Sequence, residues 1–329
     1  ELIGAKKSKS VVVLPFDNYT GSNELEYFVA GMHASLIGAI GRLSGLRVIS
    51  KTTTNAFRNT EKSISEIASE LGVDTVIEAS VLGLGEKISL QVKLVDAYPE
   101  EKQLWIQDYV EDKSQILNLY NTVKKEISKE INVLLTPEEE RILSKSRTVN
   151  REVYDAYMRS YQFWDDFSEE SLIKASDYFS GAIEKDPDWA PLYTGMATVW
   201  MSFAQQSFEA PSVAYPVVYE CLEKALELDP DHADTHFLIA MTAFLNQWDW
   251  AKSEREFLKA LAANPNEAMT RIWYAHLLCI LQRPDEGLTQ AQLAFSLDPL
   301  NPFVQLLFSF TLSHAGDYEA AQASAEQFL

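Results

Sequence analysis

Cysteine is nearly absent. Cys221 and Cys279 are the two in 329 residues, which excludes a disulfide framework. Basic side chains are also scarce: 28 Lys and Arg stand against 48 Asp and Glu, a formal charge of −20. Neutralising phosphates needs clustered cations, so no nucleic-acid surface is expected within these residues. A DNA-binding domain elsewhere in a longer protein is not excluded by that count. No run of about 18 uncharged apolar residues occurs, so no membrane-spanning or membrane-inserting segment is expected here. Residue 1 is Glu rather than Met and no signal peptide precedes it, so the chain reads as an excised or processed portion of something longer. Hydrophobic residues make up 47% of the chain, ample for a buried core.

Charge and aromatics are unevenly divided. Residues 1–150 hold 18 basic and 21 acidic side chains, and residues 151–329 hold 10 and 27, for net charges of −3 and −17. Nine of the 37 aromatics precede residue 151 and 28 follow it. This step, with the polar run Lys145 to Asn150 on it, predicts a domain boundary.

The second half repeats. Lys185-Asp186-Pro187, Leu228-Asp229-Pro230, Ala263-Asn264-Pro265 and Leu297-Asp298-Pro299 place prolines 43, 35 and 34 residues apart. Ala182, Ala225, Ala260 and Ala294 each lie five residues before a proline, and Phe179, Leu222, Phe257 and Ala291 three further back. These spacings put the side chains on one helix face, and the residue before proline leaves the α region and ends the helix. A helical period near 34 closed by proline resembles the tetratricopeptide repeat, over roughly 153–329. Trp189-Ala190-Pro191-Leu192-Tyr193, Ala275 and Gly316-Asp317-Tyr318-Glu319-Ala320-Ala321 add to the likeness. The 43-residue spacing assigns about nine extra residues to Gln205–Pro216, with Pro211 and Pro216 expected to break the helix. The first repeat is irregular around Trp164–Ser168. The next proline of the period would fall at 333, so the fifth pair is expected to lack the end of its second helix and the natural chain to continue, with a polar capping helix there.

The first half alternates. Val11–Leu14 is a β-branched run fit for a strand buried on both faces, closed by Pro15-Phe16-Asp17-Asn18. Glu24 to Leu43 carries Phe28, Met32, Leu36, Ile40 and Leu43 at helical spacing. Leu46–Ser50 follows as a strand, Ile64–Leu71 as a helix stopped by Gly72, then strands at Thr75–Leu82, Ile88–Val95 and Leu104–Val110, and a helix at Ser114–Leu134. The predicted order, β-α-β-α-β-β-β-α, is an α/β domain with a mixed sheet. Val12-Val13-Leu14-Pro15-Phe16-Asp17-Asn18, Tyr27-Phe28, Gly31 and Leu46-Arg47-Val48-Ile49 resemble the opening of the TolB-like amino-terminal domain. Glu70-Leu71-Gly72-Val73, Glu78-Ala79-Ser80-Val81, Leu94-Val95-Asp96-Ala97 and Leu104-Trp105 continue the likeness. Ala79 stands where Gly is expected, and Ala30-Gly31-Met32 where Asp-Gly-Leu is usual. The resemblance implies a pairing with tetratricopeptide repeats found in bacterial regulators, behind a DNA-binding or cyclase module and a membrane span. The expected division is 1–9 linker, 10–135 TolB-like domain, 136–152 connecting helix or linker, and 153–329 about five helix pairs, the last truncated.

Catalytic constellations are not found. Gly83-Leu84-Gly85-Glu86-Lys87 has glycines but neither the spacing nor the Ser/Thr of a phosphate loop, and reads as a hairpin turn. Gly38 and Gly41 inside a helix predict close packing. His232 and His236 have the spacing of a paired metal site but no intervening Glu and no third ligand, so a structural role is favoured over metal. His33, His276 and His314 are solitary, and Cys221 and Cys279 read as small buried apolar groups. Asn18-Tyr19-Thr20 matches a three-residue glycosylation sequon, a pattern common by chance. No metal, no cofactor and no enzymatic activity are expected.

The tetratricopeptide resemblance implies a concave surface lined by the first helix of each pair. Aligned so, it is lined by Trp164 and Phe167, then Thr194, Thr198 and Met201, then Asp234, Phe237, Met241 and Phe244. Met269, Ile272, His276 and Cys279 follow, then Phe303, Leu306 and Phe310. The candidate partner-binding groove is therefore Trp164, Phe237, Met241, Phe244, Met269, Ile272, Phe303, Leu306 and Phe310. The Lys, Arg and Asn with which family members grip carboxylate-terminated tails are missing. An apolar or amphipathic protein segment is expected instead, unless packing between repeats consumes these side chains. The −17 charge of this half fits solvated outer faces and would repel anionic membrane and nucleic acid. The functional expectation is a non-enzymatic scaffold or sensor region of a bacterial signalling or transcription regulator, on the cytoplasmic or extracytoplasmic side of a membrane. The alternatives are an accessory of an envelope transport or assembly system, and a ligand-binding or hydrolytic α/β domain using the Pro15–Asn18 loop.

Overall fold

Val11, Val12 and Val13 are wholly buried in β1 (Lys9–Val13), an inner strand of a six-stranded sheet. The computed structural model describes residues 9–22, 25–84, 87–98, 100–144, 147–164 and 168–328. The fold is an α/β region with a mixed sheet followed by an all-α tetratricopeptide solenoid. The sheet runs β3 (Leu46–Val48), β1, β4 (Thr75–Leu84), β5 (Lys87–Asp96), β6 (Lys102–Asp112). β1 lies parallel to β3 and β4, whereas β4, β5 and β6 are antiparallel. α1 (Glu26–Gly41), α3 (Ile64–Leu71) and α4 (Ile116–Glu130) supply apolar faces: Met32, Leu36 and Ile40 from α1, Ile67 and Ala68 from α3, and Val123 and Ile127 from α4 are buried. α3 keeps its predicted limits because both ends are chemically closed. Ser63 and Glu66 form a capping box, and Gly72 takes the left-handed φ of 59° that ends the helix.

Two elements were not expected. Asp17–Asn18 forms the short strand β2, parallel to β4, so the supposed ligand loop at Pro15–Asn18 is partly sheet. The Asn18 Oδ1 accepts hydrogen bonds from the Thr20 amide and hydroxyl, at 3.0 and 2.7 Å, an Asx turn. Lys51–Asn55 forms α2. Between the α/β region and the repeats lies α5 (Pro137–Ser144). The turn residues 85 and 86 lie outside the described residues, although Leu84 and Lys87 pair as the ends of the β4–β5 hairpin.

The repeats are five helix pairs: α6 (Arg151–Trp164) with α7 (Glu169–Lys185), α8 (Ala190–Gln205) with α9 (Pro211–Leu228), α10 (Ala233–Thr242) with α11 (Trp250–Ala263), α12 (Ala268–Ile280) with α13 (Pro284–Leu297), and α14 (Pro302–His314) with α15 (Tyr318–Phe328). Asp186, Asp229 and Asp298 cap α7, α9 and α13, each donating its backbone N–H to the carbonyl of the alanine four residues back. The small residue and the Asp-Pro pair thus work together: alanine lets the helices close, and proline forbids another turn. A Cβ on Gly195 of α8 would lie 2.1 Å from the Phe179 ring of α7, so only glycine admits that ring. Pro216 does not break a helix as expected. It lies inside α9, with Pro211 at the helix start, where a fixed φ is already helical. Pro216 sits one turn further in, so its missing N–H removes only the bond to the Ser212 carbonyl.

Packing divides the chain into two compact units that do not follow chain order. The first comprises Glu1–Asn23, Met32–Arg147 and Asn264–Leu329; the second comprises Glu24–Gly31 and Thr148–Ala263. In the first unit, the turns that end two repeat helices bind the α/β region. Asn266 donates from Nδ2 to the carbonyls of Gly41 (2.8 Å) and Leu46 (2.9 Å), and its Oδ1 accepts from the Val48 N–H at 3.0 Å. Asp298 accepts from the N–H and the hydroxyl of Thr53, at 2.9 and 2.7 Å. Ser50 makes no side-chain cap for α2, so Asp298 serves an otherwise orphaned helix amide from 245 residues away. Ser50 donates its N–H to the Leu297 carbonyl, and Arg47 reaches the Ser296 carbonyl, both at 2.8 Å. A Cβ on Gly41 would lie 3.2 Å from Asn264 Oδ1, whereas one on Gly38 meets nothing within 4 Å. Of these two glycines, Gly41 alone lies in close approach.

In the second unit, Tyr27 and Phe28 pack with α6. Tyr27 hydrogen-bonds Asp155, the Arg159 guanidinium lies 4.3 Å from the Tyr27 ring centre, and Phe28 meets Tyr154 edge-on at 6.0 Å.

Candidate protein-binding surface

The predicted groove residues go to different places. In the second unit, Met241 and Phe244 are buried at 3% and 9% exposure, so neither is available to a partner. Phe244 sits in a π-type turn (Ala243–Gln247) and stacks edge-on to Trp250. Phe237 is half-buried, its ring 6.3 Å from that of Phe257. The Trp164 side chain and all of Phe167 lie outside the described residues. Met241 and Phe244 are covered from within their own unit: α10 packs on α11, α8 and α9, and stacked helices bury their apolar positions against such neighbours.

In the first unit, Ile272 is fully buried in a cluster with Ala268, Ala275, Ala291, Ala294, Leu297, Val304 and Leu307, and so is not part of a binding face. Met269 and Phe303 pack against that cluster. Leu306 and Phe310 remain exposed, at 41% and 49%. Beside them on α12 stand the half-buried Trp273 and His276, and Ile280 at 37%. Trp273 joins the two helices, its ring 5.2 Å from Phe303 and 6.1 Å from His276. Trp273 and Ile280 were missed because the predicted frame on α12 stepped through Ile272 and Cys279, both buried, one residue away from the open side. The signal that could have found them is their seven-residue spacing, which puts two large apolar side chains on one helix stripe.

The electrostatics of this patch are mild. Burial lowers His276 below the usual imidazole value, and the nearby His314 lowers it further, so these two histidines are not solitary as expected. The patch presents an aromatic-rich surface. Its exposed side chains, Ile280, Leu306 and Phe310, offer apolar area for burial.

The remaining sequence candidates are placed elsewhere. His236 uses both ring nitrogens, Nδ1 to Glu256 at 2.7 Å and Nε2 to the Pro230 carbonyl at 2.8 Å. His232 Nδ1 meets the Thr235 hydroxyl at 2.9 Å. Burial drives the Cys221 thiol up to about 12 and raises Cys279. Among the described residues no group of three or more His, Cys, Asp or Glu is placed to hold a metal, and no helix is long and apolar enough to cross a membrane. A cavity of about 170 Å³ lies where α1, β3 and α2 meet the Asn264–Met269 turn; Lys51, Glu267 and Asp298 are its charged lining.

Comparison with known proteins bears on both regions. Residues 6–126 match the family described as HilA/YgeH-like transcriptional regulator, second domain. A protein of Rhizobium meliloti (strain 1021) named "Putative adenylate cyclase 3" is 27% identical over 233 residues, 70% of this chain and 40% of its own length. The chain thus spans about two-fifths of that relative. Among solved structures, a thermophilic TPR protein of Thermus thermophilus is similar over 61% of this chain and 97% of its own, with 14% identity and a TM-score of 0.43. The Pseudomonas aeruginosa pilF protein is similar over 54% of this chain and 75% of its own, with 18% identity and a TM-score of 0.43.

Proposed function

We propose that the chain is a non-enzymatic protein-interaction region of a bacterial signalling or transcription regulator. In this reading the α/β region is of the TolB-like kind, and the match of residues 6–126 to a regulator domain supports its regulatory setting. The repeats take an apolar or amphipathic helix of a protein partner across α12 and α14. The observation that carries the proposal is the exposed pair Leu306 and Phe310, beside Ile280 and a Trp273–Phe303 ring contact. Covering what remains exposed of the three aliphatic and aromatic side chains contributes about 3 kcal/mol, roughly a hundredfold in affinity.

A second reading rests on the repeat period. Leu306 lies 34 residues after Ile272, and Ile272 is covered by Val304 and Leu307 of the following pair. A further helix pair of the same protein would cover Leu306 in the same way.

Leu306→Glu with Phe310→Glu tests both readings. The double variant is expected to keep the unfolding midpoint within about 0.5 kcal/mol and to lose partner capture from the source bacterium. If it keeps every partner, the proposed site is wrong. If a longer natural chain carrying the same pair of substitutions loses stability instead, the intrachain helix is the occupant.

A further inference from the structure

The sheet ends on a long open edge. Among the described residues β6 pairs only with β5, and of its eleven residues only Trp105 and Tyr109 are not exposed. Ile106 and Val110 are 44% and 53% exposed. They share a face with Lys93 and Ser89 of β5, and through these with Glu78 and Leu82 of β4. Leu82 is itself 40% exposed. An edge of this length carries a row of backbone donors and acceptors facing outward. Proteins ordinarily blunt such edges with proline, mid-strand lysine or a covering element. The segment Lys-Gln-Leu-Trp-Ile-Gln-Asp-Tyr-Val-Glu-Asp has no proline, and its one lysine, Lys102, is at the end.

We propose that β6 pairs antiparallel with β6 of a second copy of this chain, about a two-fold axis through Gln107. The charges select this register. Lys102 stands at one end of the strand, and Glu111 and Asp112 at the other. Pairing about Gln107 sets Trp105 opposite Tyr109 and Ile106 opposite Asp108. It also brings Lys102 of each copy to the Glu111–Asp112 end of the other, giving two ion pairs by symmetry. The irregularity of β6 at Leu104, where Leu94 pairs with Trp105 but Val95 with Gln103, moves Lys102 by one position and leaves it at the same acidic end. Antiparallel ladders admit only registers two residues apart. One neighbouring register sets Asp108 against Asp108, and the other brings Glu111 to the Glu100–Glu101 end of the second copy. Both oppose like charges, which is unfavourable.

The interface is small, at the low end of specific contacts, so self-association is expected between about 10 µM and 1 mM. Sedimentation of the full chain across that range should show the mass doubling. Amide exchange along 102–112 should slow as concentration rises. Gln107 faces its own copy across the axis, so Gln107→Lys alone and Gln107→Glu alone should each stay monomeric, and an equimolar mixture of the two should dimerise again. The proposal is overturned by a chain that stays monomeric at about 1 mM. It is equally overturned if the single charge variants associate like the unmodified chain. Loss of the dimer in Leu306→Glu, with Gln107→Lys unaffected, would assign self-association to α14 and overturn it too.

Discussion

The helix-ending turns of the two units begin alike and finish differently. In the second unit, Asp186-Pro187-Asp188 and Asp229-Pro230-Asp231 cap their helices, and Asp188 and Asp231 are exposed. In the first unit, Asp298-Pro299 keeps the same capping chemistry, and there Asn264 and Asp298 are buried, at 7% and 2% exposure. One sequence motif therefore serves as punctuation in one place and as a docking device in the other. The context decides which: an amide or carboxylate becomes a docking group only where unsatisfied backbone groups of the α/β region come within reach.

The largest separation between the two kinds of turn is expected at the third position. Asn266→Ala strands the Val48 N–H and the carbonyls it served, at a cost of about 3 kcal/mol in urea unfolding. Asp188→Ala at the equivalent position of the second unit is expected to cost less than about 0.5 kcal/mol. Equal effects would end the distinction.

Acid should separate the units on a similar scale. His33 is fully buried in the first unit, its Nε2 2.9 Å from the Val13 carbonyl oxygen, and burial lowers it from 6.5 to about 4. The unfolded chain protonates this imidazole near 6.5 and the folded one near 4, so between those values the unfolded state binds more protons. Stability is then lost as pH falls through that window, by about 3 kcal/mol in all. In the second unit, burial works to raise Glu256, yet the Lys259 and His236 side chains hold it below its usual 4.5. That contribution is present above the unfolded value and is lost only as pH falls through the lower folded one. Urea midpoints between pH 7 and 4 should fall in the unmodified chain and flatten in His33→Gln. An unchanged slope would remove His33 from the explanation.

The smallest effect is expected from Asp298→Asn. The amide oxygen can still accept from Thr53, and removing a carboxylate whose pKa burial raises offsets the loss of the bond that Oδ2 accepts from Asn301 Nδ2. A loss near or below 1 kcal/mol is expected, whereas Asp298→Ala should cost about 2 kcal/mol by stranding the Thr53 amide.

How much of this was legible varies with the range of the interaction. β1, α3 and the ends of the repeat helices could be read because valine runs, capping boxes and Asp-Pro pairs act on their immediate neighbours. β2 and α2 could not. Lys51-Thr52-Thr53-Thr54-Asn55 is poor helix material by propensity, and Asp298 from the far end of the chain caps it. Of the predicted groove, Leu306 and Phe310 are exposed, Phe303 packs on a buried cluster, and Met241, Phe244 and Ile272 are buried. Exposure depends on the next repeat along, and no local pattern encodes that.

The Asn266 amide bonds main-chain atoms of Gly41, Leu43, Leu46 and Val48. The loop it grips can therefore change every side chain it owns, short of adding bulk at Gly41, without loosening the grip. Drift in that loop would leave no matching drift at Asn266, so a search for residues that vary together would pass over one of the closest contacts in the molecule.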